Sequence, residues 1–169
     1  VHKGLAIKPM ALHDPLTEKE KTTIPFLFED TMMLIIDEIS MVSDKLFQMI
    51  DERLKYFAKT LKNRGQYNQL NANLPFGGFI VIALGDFRQI EPVRATSLVA
   101  ASMANERTMA SVLFRDFRVV FLRTQQRAFD DPVQTERVEQ LSSGKFCPEF
   151  WEKLPVLTRA DHQTTFTNA

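Results

Sequence analysis

Two apolar runs, Met32-Met33-Leu34-Ile35-Ile36 and Phe79-Ile80-Val81-Ile82-Ala83-Leu84, each stop at acidic residues, the first at Asp37-Glu38 and the second at Gly85-Asp86. A short continuous apolar run bounded by turn residues is the pattern of a strand buried on both faces of a parallel sheet. A sheet of that kind needs helices or long crossings between its strands, and its ligands bind beyond the carboxyl ends. The expected architecture is therefore a doubly wound or RecA-like α/β core, with chemistry at the Asp37-Glu38 and Gly85-Asp86 ends.

The stretch between the runs supplies a helix. Ser43 is placed to cap it, and Leu46, Phe47, Ile50, Leu54, Phe57, Ala58 and Leu61 follow helical spacing over about 44 to 61. Lys45, Asp51, Glu52, Lys55 and Lys59 are assigned to the opposite, polar face. Residues 63 to 75 read as a polar surface loop, the segment most suited to movement. Further along, the pattern predicts a helix over about 104 to 114, a third short strand over Val119 to Leu122, and a helix over about 133 to 143 opened by Pro132 and closed by Gly144. A last short helix is expected from Pro148 through Trp151 and Leu154. Residues 1 to about 30 read as irregular, with one short strand near Leu5 to Ile7. Met32, Met33, Met41 and Met49 read as core filler.

Composition narrows the class. The 169 residues carry 21 Lys+Arg and 21 Asp+Glu, and 44% are hydrophobic, which fits one ordinary globular domain and argues against an obviously basic nucleic-acid binder. Cys147 is the only cysteine, so no intrachain disulfide forms and a reducing, intracellular setting is expected. No apolar run reaches membrane-spanning length. The histidines are too scattered for a zinc site. The chain starts at Val1 and is expected to be a piece of a longer protein.

Asp37-Glu38 at a strand end is the arrangement by which nucleoside triphosphatases handle magnesium and water: the Asp holds a water ligand of Mg²⁺ and the Glu polarises the attacking water. Alone, the pair also fits a solvated turn. In the second motif, Gly85-Asp86-Phe87-Arg88-Gln89-Ile90-Glu91-Pro92-Val93, Gln89 is a candidate for the terminal phosphate or attacking water and Arg88 for phosphate or DNA.

Leu34-Ile35-Ile36-Asp37-Glu38-Ile39-Ser40-Met41-Val42, then Pro75-Phe76-Gly77-Gly78, then Gly85 to Val93 resemble the consecutive motifs of PIF-type helicases (petite integration frequency), superfamily 1 DNA helicases that include the helicase region of Helitron transposons. Ser111 to Ala128 resembles the segment carrying the family's γ-phosphate-reading arginine, which falls on Arg127. Val1 to Ile7 resembles a threonine-histidine motif near DNA, bringing in His2 and Lys3, and Phe166-Thr167-Asn168-Ala169 resembles the entry to the second motor domain.

The resemblance implies an α/β RecA-like P-loop motor domain with a parallel sheet, incomplete because the Walker A strand and loop are absent. No Gly-x-x-x-x-Gly-Lys-Ser/Thr occurs in the chain; in the family it lies upstream. Residues 1–128 would be a partial first motor domain, and 129–169 a helical connection and the start of the second. The implied activity is ATP-dependent DNA unwinding with five-prime to three-prime translocation, in DNA repair, recombination and telomere maintenance. ATP and Mg²⁺ would be the cofactors, and single-stranded DNA and duplex junctions the partners, with no membrane. The compartment would be the nucleus or mitochondrion in a eukaryote and the cytoplasm otherwise.

Residue by residue, Asp37 would organise Mg²⁺ through water, Glu38 activate water, Gln89 couple the γ-phosphate to the motor, and Arg127 stabilise developing charge. His2, Lys3, Phe76 and Arg88 are the DNA-binding candidates, although burial beneath the Gly77-Gly78 turn is the preferred reading for Phe76. Glu91 and Gln126 depart from the family's usual apolar residues. Between Arg88 and Arg127 seven Arg face three acidic residues, either a phosphate-binding track or a solvated face. Rival readings are a RecD-like superfamily 1 helicase, a distant AAA-type ATPase, and a degenerate remnant that binds nucleic acid without turnover.

Overall fold

Ser43 accepts the Leu46 amide on its Oγ at 3.2 Å and so starts the longest helix among the described residues. In the computed structural model, which describes residues 4–8, 15–62, 70–104, 108–124 and 130–145 with Pro148 and Glu152, seven named elements follow one another. They are α1 (Glu18–Thr23), β1 (Met33–Ile36), α2 (Asp44–Thr60), β2 (Ile80–Ala83), α3 (Leu98–Met103), α4 (Met109–Arg115) and α5 (Pro132–Ser142). The chain divides into two compact units, residues 1–119 and 120–169, with α5 in the second.

β1 and β2 pair in parallel, Met33 opposite Ile80 and Ile36 opposite Ala83. Because side chains alternate along a strand, Leu34, Ile36, Val81 and Ala83 turn to the core while Met33, Ile35, Ile80 and Ile82 turn away. The expectation of strands covered on both faces is thus corrected: Ile35 is 57% exposed, since among the described residues helices cover only one side of the sheet. Met49 alone of the four methionines read as core filler is buried; Met32, Met33 and Met41 are exposed.

The core is built on the apolar stripe of α2. Phe47, Ile50, Leu54 and Phe57 are wholly buried, and Phe47 meets the rings of Phe76, Phe114 and Phe117 at centroid distances of 5.4, 6.3 and 5.9 Å. Burial of a side chain of this size contributes about 1.5–3 kcal/mol. The stripe includes one carboxylate: Asp51, assigned from sequence to the polar face, is 1% exposed. Its Oδ1 accepts the Phe76 amide at 2.6 Å and its Oδ2 pairs with Lys55 at 2.7 Å, so the buried oxygens are satisfied. Phe76 and Gly77 are both left-handed, at φ 52° and 66°. A Cβ on Gly77 would lie 2.5 Å from the Leu54 carbonyl oxygen, so only glycine lets this turn rest on the α2 backbone before β2 begins.

Other sequence expectations shift. The N-terminal region is less irregular than expected, because Thr17 and Glu20 form a reciprocal capping box that starts α1. Residues Gly4 to Ala6 form a turn in place of a strand, although Leu5 and Ile7 are buried. The expected helix over 104–114 is replaced by α3 and α4, each with its own cap, Ser97 and Thr108. Val119 to Leu122 forms no strand and is exposed; with no partner strand among the described residues, its β-branched and aromatic side chains have nothing to pack on. Helix α5 matches its expected limits, starting at Pro132 and closing as the Lys145 amide reaches the Gln140 carbonyl. The helix expected beyond Pro148 and most of the expected mobile loop, 63–69, lie outside the described residues.

Candidate nucleotide site at the carboxyl edge of the sheet

Parallel pairing puts the carboxyl ends of β1 and β2 on the same edge, so Asp37-Glu38 and Gly85 to Gln89 emerge side by side. The Leu84 amide donates to the Ile36 carbonyl at 2.8 Å, and the Ile39 amide donates to the Leu84 carbonyl at 2.8 Å. The segment that follows Asp37-Glu38 is therefore tied to the end of the neighbouring strand. Gly85 seats this tie: a Cβ there would fall 2.9 Å from the Ile39 nitrogen and 3.0 Å from its Cγ2.

Both acidic side chains are exposed. Asp37 Oδ1 accepts the Glu38 amide at 2.9 Å, which orients the carboxylate. Glu38 is left-handed, at φ 52° and ψ 49°, an uncommon conformation for a residue with a side chain and one that recurs at functional sites. In the neighbouring loop, Asp86 Oδ1 accepts both the Arg88 amide at 3.0 Å and Arg88 Nε at 3.1 Å, while Oδ2 accepts Arg88 Nη2 at 3.2 Å. These hydrogen bonds from Arg88 hold the Asp86 carboxyl below its ordinary value of 3.8. Gln89 donates its amide to the Asp86 carbonyl at 3.0 Å, closing a turn that leaves its side chain exposed.

Four of the sequence candidates thus meet on one edge: Asp37, Glu38, Arg88 and Gln89. Phe76 does not join them. At 5% exposure it is packed between Phe47 and Phe117, so its ring is not offered to a base, and the candidacy for stacking is corrected to a core role. His2, Lys3, Arg127 and Gln126 lie outside the described residues. Glu91, the departure from the family pattern, accepts Ser97 Oγ at 3.3 Å and so braces the loop leading into α3.

A residue that the sequence reading placed on the polar face of α2 is Asp51, which instead clamps the entry to β2. Its spacing from Phe47, Leu54 and Ala58 already put it on the apolar stripe, which is the signal that would have found it.

The PIF1-like helicase family model matches residues 11–147. The chain belongs to the PIF1-like helicase family. The ATP-dependent DNA helicase Pif1 of Psychrobacter sp. is 33% identical over 96 residues, 53% of this chain and 12% of that protein. The ATP-dependent DNA helicase PIF1 of Emericella nidulans is 29% identical over 136 residues, 76% of this chain and 15% of that protein. The chain therefore spans only a small part of these PIF1 relatives. The Bacteroides Pif1 structure in complex with ADP-AlF3 and single-stranded DNA aligns with a TM-score of 0.56 at 22% identity, over 88% of this chain and 33% of that one. The fold is accordingly that of a RecA-like helicase domain, covered in part.

The carboxylates suit a magnesium ion held through water. Mg²⁺ keeps several waters and takes one or two carboxylates plus substrate phosphates. Asp37, exposed and oriented, is the group that would hold it.

Proposed function

We propose that the protein containing this chain is an ATP-driven DNA helicase that translocates from five-prime to three-prime along a single strand and unwinds duplex junctions. The observation that carries the reading is the tie between Ile39 and Leu84, which sets Asp37-Glu38 beside the loop of Gln89. Asp37 would hold Mg²⁺ through water; the ion, when bound, would offset phosphate charge during phosphoryl transfer. Glu38 takes the proton of the attacking water, and Gln89, in the loop beyond the adjoining strand, senses the terminal phosphate and passes its presence to the rest of the motor. Arg127 stabilises the charge that develops on the phosphoryl group, a role that rests on the sequence match.

The phosphate loop that completes such a site is supplied upstream in the parent. Repair, recombination and telomere maintenance are the processes such a motor serves. A single cysteine suits an intracellular, reducing compartment.

The deciding experiment is DNA-stimulated ATP hydrolysis by the parent chain, extended to include its phosphate loop, with Glu38→Gln beside it. Turnover that requires single-stranded DNA and disappears in the variant, with nucleotide binding kept, is the expected result. A folded, complete parent without turnover would move the reading to a degenerate, non-catalytic remnant that binds nucleic acid.

A further inference from the structure

Four serines are buried among the described residues: Ser40, Ser43, Ser97 and Ser111. Three of them engage their hydroxyls inside the fold. Ser43 Oγ accepts the Leu46 amide, Ser97 Oγ accepts the Ala100 amide and donates to Glu91 Oε1 at 3.3 Å, and Ser111 Oγ donates to the Thr108 carbonyl at 2.9 Å. Ser40 differs: it is 2% exposed, and its Oγ meets no hydrogen-bond partner among the described residues. A buried hydroxyl in that condition costs stability that the methyl group of an alanine would not.

The position of this hydroxyl gives it a use. Ser40 lies in the short turn Ile39–Met41, closed by the Met41 amide on the Glu38 carbonyl and the Val42 amide on the Ile39 carbonyl, each at 3.0 Å. The left-handed Glu38 opens that turn. On its other side stands the second motif: a Cβ on Gly85 would lie 3.3 Å from the Ser40 nitrogen, so Ser40 abuts the first residue of the loop that carries Gln89. Backbone held in a rare conformation and buried polar groups without partners concentrate where a fold uses a second arrangement. Both occur here within one turn, between the acidic pair and the Gln89 loop.

We propose that Ser40 is a positioning residue whose hydroxyl hydrogen-bonds the main chain at Gly85-Asp86 when a nucleoside triphosphate is in the site. The Ile39–Leu84 tie already joins the two segments, and the Ser40 bond adds a second tie that depends on the terminal phosphate. Because the Gln89 amide is bonded to the Asp86 carbonyl, a shift of Gln89 toward that phosphate carries Asp86 with it and brings its main chain to Ser40. Ser40 itself touches no nucleotide. The proposal rests on the helicase reading and deepens it, naming the group through which the Gln89 loop and the Glu38 turn respond together.

The test uses the parent chain with its phosphate loop. Without nucleotide, Ser40→Ala should melt at the same temperature as the unaltered parent or higher, since no bond is lost. Its affinity for ADP should be unchanged, while its affinity for a non-hydrolysable triphosphate analogue with Mg²⁺ and its DNA-stimulated kcat/KM should each fall about tenfold, the loss of one hydrogen bond. Combined with Gln89→Ala, it should lower kcat/KM no further than Gln89→Ala alone, because the two act as a unit. Ser111→Ala, which removes a bonded hydroxyl remote from the acidic pair, should do the reverse: a lower melting temperature and full turnover. Unchanged kcat/KM in Ser40→Ala, a loss that adds to that of Gln89→Ala, equal weakening of ADP and analogue, or a melting temperature lowered without nucleotide each overturn the role given to Ser40 and leave the motor reading standing. A folded, complete, unaltered parent without turnover overturns the motor reading, and the role of Ser40 with it.

Discussion

The Ile39 amide donates to the Leu84 carbonyl at 2.8 Å, joining the residue after Glu38 to the last residue before Gly85. This bond makes two motifs, 46 residues apart at Ile39 and Gly85, into a single edge. It also explains why a motif that looks like a phosphate sensor begins with glycine. The close approach of the Ile39 backbone leaves no room for a Cβ.

Gly85→Ala is therefore expected to destabilise the chain by about 1–3 kcal/mol, the usual cost of forcing a methyl into a filled space. Urea denaturation would read this as a lower midpoint at unchanged slope. A midpoint equal to that of the unaltered chain would show that the Asp37-Glu38 turn shifts freely and is not held by this contact.

Asp51 clamps the other end of β2. Asp51→Ala leaves the buried Phe76 amide without an acceptor and is expected to cost about 2–3 kcal/mol, since a bond to a charged acceptor is lost and nothing replaces it. Asp51→Asn keeps an oxygen for Phe76 and should cost less than half as much. Lys55→Met leaves the buried Asp51 Oδ2 without its partner and should cost about 1–3 kcal/mol. Equal losses for the Ala and Asn variants would show that the charge, and not the Phe76 bond, matters.

The Asp86 carboxyl titrates below its ordinary value of 3.8 because Arg88 donates to it from side chain and backbone. A carboxylate depressed by folding adds stability above its unfolded pKa and loses it as pH falls through the folded one. The Asp86–Arg88 fork should accordingly persist at neutral pH and be lost only below about pH 4. Carboxyl-carbon NMR titration would give an Asp86 midpoint below 3.8 that moves up in Arg88→Gln. The same midpoint in both proteins would remove Arg88 as the cause.

The parts legible in sequence were those set by local pattern. The two apolar runs, the 3.6-residue stripe of α2 with its Ser43 cap, and Pro132 at the start of α5 all carry their structure in neighbouring residues. The Thr17-Glu20 capping box was equally local and was overlooked. What resisted reading depends on distant partners. Asp51 is buried because Phe76, 25 residues away, brings it a donor. Val119 to Leu122 has strand-forming residues but no neighbouring strand among the described residues to complete its hydrogen bonds. At the site, the acidic pair and the Gln89 loop were identifiable from order and spacing, whereas the left-handed turn at Glu38 and the tie between Ile39 and Leu84 arise only when the two segments pack.

The outward face of the sheet yields a last expectation. Met33, Ile35, Ile80 and Ile82 form a contiguous apolar surface on two paired strands, and among the described residues each strand has one unpaired edge. Exposed apolar faces and open edges favour association with a like surface. Studied alone, the chain should sediment faster as concentration rises, while Ile35→Lys/Ile82→Lys should hold it monomeric, because lysine places a charge on the face without altering the buried side of either strand. The substitutions leave Asp37, Glu38 and Gln89 untouched, so the change in association is separable from any effect on nucleotide. A sedimentation coefficient independent of concentration in the unaltered chain would mean that this face does not drive association.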